Sequence, residues 1–462
     1  MTAYIFANPF VWGNPLLNVR RLVRITRQKE YTAEDTLVFS ASSLLGFVDT
    51  ARFTEPNLNS ELTALKKFIR ETKKCVPSVI LPYSVRPGVF EILLVRGGKS
   101  SKLPYTEQDG ALYVEKYDTG LAFDLIFNTK PYDGTEPEVH RSDYVFVDSA
   151  AYDDGCVYPG FCKVVKKGKR RANWLSPDGP FDASATHTAL CGKNAKKILA
   201  MQTALRLYMH RYGFSDVTIG VSGGMDSAFV AALSVKTLGA EHVRLYFLPT
   251  IYTSEASCQD AALLAKNLGA SLEVFSITPL LDHYVESLGG KSGVALGVLQ
   301  NLQARIRANI LMAHSNADGS LLLSTGNKSE SATGYCTLYG DLAGGFNFIG
   351  DVFKTDLYEL ALSDPFLSSV IPKSIFTKAP SAELLPGQKD SDDLPPYSVL
   401  DKVLKEILEG RSAEQVKKHF EAGLVETVLR RLRGSQFKRE QSCPVLKLSE
   451  HPLRDFCDKN FI

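Results

Sequence analysis

The chain has 462 residues; 44% are hydrophobic, 23% are charged, and 53 Lys+Arg against 51 Asp+Glu leave a net charge of +2. At roughly 150 residues per domain this length predicts two to four domains, and the apolar share excludes fibrous and disordered classes. The balanced charge calls for neither nucleic acid nor a membrane surface as partner.

TAYIFANPF opens the chain as a strand, and NVRRLVRITRQ follows with apolar residues at helical spacing. TLVFS reads as a strand and SELTALKKFIRETKK as a helix. SVILPYSV, FEILLVR, GLAFDLIF and YVFVDS all read as strands, giving a β-rich middle. The basic run KVVKKGKRR (163–171) reads as a solvated turn near a domain end, and NWLSPDGPFDASAT as a linker. NAKKILAMQTALRLYMHRYG is then a helix. Beyond it strands (VTIGV, VRLYFLP, SLEVFSI, SLLLST) alternate with helices (DSAFVAALSVKTLG, EASCQDAALLAKNLG, residues 298–314). That alternation predicts parallel βαβ units. Residues 399–441 read as mostly helical. The expected division is 1–175 for a first domain, 176–194 for a linker and 195–462 for a second.

No run reaches the roughly 18 apolar residues of a membrane span, and MTAYIFANPF lacks the basic start of a secretory signal. Eight cysteines are too few for a disulfide scaffold of this size. The expectation is a soluble cytoplasmic enzyme with reduced thiols. Cys156 and Cys162 have no neighbouring His or second Cys pair, so zinc is not expected. Cys336 reads as packing.

The densest chemical signal is VTIGVSGGMDS (217–227). An apolar strand runs into Ser222, Gly223 and Gly224, and a helix opens at Asp226 and Ser227. Glycines let the backbone turn sharply and approach a ligand closely. Helix-start amides with two serine hydroxyls make an anion site. Asp226 alone would repel phosphate, so its presence there implies Mg²⁺. Neither the GxxxxGK[ST] loop nor a GxGxxG dinucleotide fingerprint occurs.

This segment resembles the SGGxDS loop of the N-type ATP pyrophosphatases. Four further blocks resemble NAD synthetases in their order, among them PTIYTSEASCQDAALLAKNLG, NLQARIRANILMAHSN and LLLSTGNKSESATGYCTLYGD. The resemblance covers about 195–441. It implies a doubly wound α/β sheet that adenylates the carboxylate of deamido-NAD with MgATP and then amidates it with ammonia. ATP contacts are implied for Gly220, Ser222, Gly223, Gly224, Asp226, Ser227, Leu248, Thr325, Lys354 and Ser381. Asp226 and Lys354 are the implied catalytic pair, and Asp226 and Glu330 the implied Mg²⁺ ligands. Deamido-NAD contacts are implied for Asn301, Arg305, Glu330 and Lys438. Asn301 and Arg305 are four apart, hence on one helix face. Several blocks have the form found in glutamine-dependent enzymes; Leu338 stands where the ammonia-dependent class has a Lys. Family members are dimeric, so at least a homodimer is implied.

Residues 1–175 weakly resemble the nitrilase-like glutaminase domain of those enzymes, which uses a Cys nucleophile, a Glu base and a Lys. Here Ala41 stands at the Glu position. KSSKLPY puts Ser100 at the Lys position, with Lys99 and Lys102 beside it. GLAFDLIFNTKPYD fills the nucleophile strand without a Cys, and neither Asp124 nor Phe127 can replace a thiol there. The expectation is a reduced αββα domain that is catalytically inactive, in an ammonia-using synthetase. A diverged glutaminase, a separate glutaminase partner, and a non-catalytic nucleotide-binding subunit are the rival readings.

Overall fold

A computed structural model describes residues 3–6, 15–28, 31–41, 44, 55–86, 89–108, 111–119, 121, 124–128, 143–147, 150–153, 156–159, 161–166, 169–174, 181–182, 192–290 and 294–453. Two compact units meet within one helix, Met1–Leu207 and Tyr208–Ile462. Among the described residues no helix is long and apolar enough to cross a membrane.

The first unit contains β1 (Ala3–Phe6), α1 (Pro15–Thr26), β2 (Thr36–Phe39), α2 (Glu55–Glu71), β3 (Ser78–Arg86), β4 (Val89–Arg96), β5 (Lys99–Leu103), β6 (Thr106–Gln108) and β7 (Ala111–Val114). It continues with α3 (Lys116–Thr119), β8 (Asp124–Asn128), β9 (Tyr144–Val147), β10 (Ala150–Asp153), β11 (Cys156–Pro159), β12 (Phe161–Lys166), β13 (Lys169–Trp174) and β14 (Phe181–Asp182). One sheet has the order β14-β1-β2-β3-β4-β5 and the other β13-β12-β9-β8-β7-β6. Strand periodicity places the layers. In β2, Val38 faces the second sheet and packs with Leu112, Leu125, Phe127 and Val145. Its neighbours Leu37 and Phe39 face the helices, against Val19 and Leu22 of α1 and Phe68 of α2. Helices, sheet and sheet form an α-β-β stack, one helical layer short of αββα among the described residues.

Two readings of this unit change. The basic run 163–171 lies in the antiparallel pair β12–β13, with Lys166 opposite Lys169. Its strand character was masked by charge, because cross-strand pairing constrains the backbone whatever the side chains carry. The segment 176–194 is not wholly linker: β14 pairs with β1 through Tyr4 and Asp182, and α4 (Lys193–Tyr212) begins before residue 195. A two-residue strand has no periodicity to detect. The side chains of Cys156 and Cys162 lie outside the described residues.

The second unit has β15 (Val217–Val221), α5 (Met225–Leu238), β16 (Val243–Phe247), α6 (Glu255–Leu268), β17 (Ser271–Val274), α7 (Thr278–Ser287), α8 (Leu296–Asp318), β18 (Leu321–Leu323) and α9 (Lys328–Thr333). Then come α10 (Lys354–Ser363), α11 (Pro365–Val370), α12 (Lys373–Thr377), α13 (Tyr397–Leu408), α14 (Ala413–Val416), α15 (Ala422–Gly434) and α16 (Gln436–Glu440). The sheet is all parallel, ordered β17-β16-β15-β18. β16 and β17 build outward on one side of β15, and the chain then crosses to add β18 on the other. The carboxyl ends of β15 and β18 therefore flank a topological switch point, where open α/β sheets bind ligands. Leu400, Val403 and Leu404 of α13 and Val425 and Val428 of α15 pack around Ala332 and so fix α9.

Candidate active site

β15 delivers the chain into Ser222, Gly223 and Gly224, and α5 starts at Met225. Gly223 has φ +75, and a Cβ there would stand 2.5 Å from the Ser257 carbonyl oxygen. Only glycine fits both the left-handed backbone and that close approach to α6. Ser227 Oγ accepts from the Ser222 amide (3.1 Å) and donates to the Gly224 carbonyl (3.2 Å), which holds the loop in shape. No side chain caps α5, so its first amides face outward at the positive end of the helix. Gly220 sits inside β15, where a Cβ would be 2.8 Å from Leu311; its size permits α8 to pack closely.

The segment after β18 faces this loop. Thr325 is half-buried there. Asn327 caps α9, with the Glu330 amide donating to its Oδ1 (3.0 Å) and Glu330 Oε2 accepting from the Asn327 amide (3.3 Å), a capping box. The Asn327 side-chain amide donates to Asp226 Oδ1 (3.0 Å). Lys354, the first residue of α10 and only 5% exposed, donates Nζ to Asp226 Oδ2 and lies 3.4 Å from Glu330 Oε1. Tyr397 places its ring 5.5 Å from that ammonium and donates its hydroxyl to Asp390 Oδ2 (3.0 Å).

Burial pushes the Glu330 carboxyl above its usual range; Lys354 opposes this, while Asp226 and Asp390 reinforce it. Burial alone would lower the Lys354 ammonium, but Asp226 and Glu330 outweigh it and hold it higher than usual. Asp390 is raised by burial too, and its Oδ1 is buried with no hydrogen-bond partner. Three carboxylates thus share one ammonium. The surplus negative charge and hard oxygen donors of Asp226 and Glu330, which come from facing elements, fit a divalent cation such as Mg²⁺.

A second group gathers around residues 334–338. Asn301 of α8 accepts from Thr337 Oγ (2.8 Å), and Arg305 Nε donates to the Leu338 carbonyl (3.2 Å). Lys438 Nζ donates to the carbonyls of Gly334 (2.8 Å) and Cys336 (2.7 Å). Burial pushes the Cys336 thiol up to about 12, which suits packing and not nucleophilic work. Leu248 is buried with Ile277, Leu281 and Ile306, and its carbonyl accepts from Arg307 Nε (2.9 Å). Ser381 lies in the loop before Asp390 and donates to the Gln388 carbonyl.

The fold therefore draws Ser222, Gly223, Gly224, Asp226, Ser227, Glu330 and Lys354 to one switch point, and Asn301, Arg305 and Lys438 to one neighbouring segment. Sequence reasoning passed over Asn327, Asp390 and Tyr397. The N-x-x-E capping box was a usable signal for Asn327; Asp390 and Tyr397 carry none. In the first unit, Ala41 is buried in the inter-sheet core beside Val38 and Leu103. Ser100 is exposed on β5, and Lys102 pairs with Glu91. Asp124 and Phe127 lie in β8, and the rest of that expected nucleophile segment is partly outside the described residues.

The profile of the NAD synthase family matches residues 197–442. A glutamine-dependent NAD(+) synthetase of Thermotoga maritima is 46% identical over 259 residues, 54% of this chain and 44% of the relative. The chain thus spans less than half the length of that relative. One of Acinetobacter baylyi is 29% identical over 500 residues, covering 93% of this chain and 92% of the relative. Among solved structures, a glutamine-dependent NAD+ synthetase from Acinetobacter baumannii, in complex with ADP, aligns with a TM-score of 0.65 at 23% identity, covering 98% of this chain and 97% of that one. One from Cytophaga hutchinsonii aligns with a TM-score of 0.68 at 17% identity, covering 98% and 96%. These two likenesses show a shared fold.

Proposed function

The chain belongs to the NAD synthase family, and on that premise we propose that it makes NAD by ATP-dependent amidation of deamido-NAD. The observation that carries this reading is the convergence of Asp226, Glu330 and Lys354 beside an uncapped, glycine-turned helix start. Adenylation of a carboxylate depends on positioning and on neutralising phosphate charge. The loop amides, with the Ser222 and Ser227 hydroxyls, hold the phosphates. Lys354 offsets charge as pyrophosphate leaves. Asp226 and Glu330 would hold Mg²⁺, which would supply further charge neutralisation at the phosphates. Asn301, Arg305 and Lys438 orient the dinucleotide so that ammonia meets the activated carboxyl carbon and AMP departs.

The nitrogen source has two readings. The relatives are named glutamine-dependent, which fits glutamine use better than ammonia alone. Ala41 in an apolar core, with no Cys from 76 to 155, supports ammonia. Purified protein is assayed with deamido-NAD and MgATP plus either ammonium chloride or glutamine, following AMP and NAD. Turnover with ammonium and none with glutamine is expected on the second reading. Efficient glutamine use lost in Cys75→Ala establishes a diverged glutaminase. Nucleotide binding with no turnover in either arm overturns the enzymatic assignment.

We also propose a homo-oligomer, with 1–175 as an inactive nitrilase-like domain that serves in assembly. Leu280, Tyr284, Leu288, Leu296 and Val298 of α7, α8 and their connection are all exposed, and such clustered apolar side chains mark contact surfaces. Light scattering on the full chain should give at least twice the monomer mass; a monomer at micromolar concentration rejects the oligomer.

A further inference from the structure

The loop 378–390 carries one contact that the reaction described above does not use. Glu383 has φ +48, in a region that costs a side-chain-bearing residue free energy unless its surroundings over-determine it. What holds it there is the first turn of α6. Glu383 Oε2 accepts from the Ser254 amide (3.1 Å), and Oε1 accepts from Ser254 Oγ (2.7 Å) and Ser257 Oγ (2.8 Å). Lys378, at the other end of the loop, donates to Ser257 Oγ (3.0 Å) and pairs with Asp260 (2.8 Å). The half-buried Arg307 guanidinium on α8 also feels the Glu383 charge. This is more than a helix cap, because α6 already has one: Ser254 Oγ accepts from the Ser257 amide (3.2 Å).

The contact reaches the phosphate loop from two directions. The backbone of that same first turn, at Ser257, is what Gly223 packs against. In the other direction, the Glu383 amide donates to Ser381 Oγ (3.1 Å), while the Asp390 amide donates to the Pro380 carbonyl (3.0 Å) and closes the loop at its base. Gln303 of α8 steadies the far side by donating to the Leu384 carbonyl (2.9 Å).

We propose that Glu383 is a positioning residue for the ATP site: its carboxylate latches loop 378–390 onto the start of α6, seating Ser381 and the wall behind Gly223 in one register. The proposal rests on the phosphate loop being the ATP site. It assigns Glu383 no contact with ATP; the residue acts through Ser254, Ser257 and Ser381.

The test uses Glu383→Ala, Glu383→Gln and Glu383→Gly in the full chain. Losing charge-assisted hydrogen bonds should raise the ATP KM at least about tenfold in Glu383→Ala, with kcat and the deamido-NAD KM changed less than about threefold. Glu383→Gln keeps an acceptor oxygen and should recover most of the ATP KM. Glu383→Gly relieves the backbone but lacks the carboxylate, so it should behave like Glu383→Ala. A second readout needs no catalysis: trypsin should cut after Lys378 or Lys389 at least about tenfold faster in Glu383→Ala, because a released loop opens more often. Faster cutting in a protein without synthetase activity would keep the latch and reject the assigned reaction. Wild-type cutting rates with a wild-type ATP KM overturn the latch. So does a lower melting temperature with the ATP KM unchanged, which is what a merely structural contact gives.

Discussion

Asp226→Ala should lower deamido-NAD-dependent ATP–pyrophosphate exchange by at least about a hundredfold, the usual cost of removing a group aimed at developing charge. Asp226 accepts from Lys354 and from Asn327 and lies in the first turn of α5. Its loss frees Lys354 to swing toward Glu330, its remaining partner, and takes one carboxylate from the proposed cation site. The fold should survive. Three acidic groups crowd one ammonium, so removing one relieves repulsion, and the lost helix-start interaction is worth only about 0.3–1 kcal/mol. Asp226→Asn keeps the shape and tests charge alone; it should be nearly as defective. Wild-type exchange in either variant would remove Asp226 from the mechanism.

The largest stability effect should come from Lys328, which is 1% exposed. Its ammonium pairs with Asp351 (2.8 Å) and donates to Ser449 Oγ (2.9 Å) and the His451 carbonyl (2.8 Å). Asp351 Oδ2 in turn accepts from the amides of Leu448 and Ser449, each at 2.8 Å. Lys328→Ala leaves the Asp351 carboxylate buried without its cation, a loss of about 3–5 kcal/mol. In a unit of this size that lowers the melting temperature by about 10 °C. Lys328→Met combined with Asp351→Asn leaves no unpaired charge and keeps an acceptor for the two amides, so it should recover more than half of the loss. A drop below about 1 kcal/mol in Lys328→Ala, measured by denaturant titration, would show that the pair is not closed in solution. Lys328 directly follows the Asn327 cap and stands two residues before Glu330. A displaced C-terminal segment should therefore reach the active site as well.

Much of the second unit was legible because its signals are local. Strand, glycine turn and helix start are contiguous in residues 217–227, and each step has its own residue chemistry. In the first unit, Leu37, Val38 and Phe39 announced a strand. The short exposed strand β6 and the basic hairpin β12–β13 did not announce themselves, because their pairing partners, and not their own side chains, keep them extended. Lys328 was likewise silent. A buried lysine is rare, and nothing in GNKSE says that Asp351 and the segment at 448–451 will enclose it.

The sequence by itself determined the glycine-turned loop that opens α5, the alternation that makes a parallel sheet, and the blocks that identify the family. Tertiary structure alone decided which charges meet. Asp226 reaches Asn327 across 101 positions and Lys354 across 128, and Glu383 reaches Ser254 across 129. No periodicity spans such distances. They close because the chain, after setting β16 and β17 on one side of β15, crosses over to set β18 on the other, bringing two loops together at the carboxyl end of the sheet.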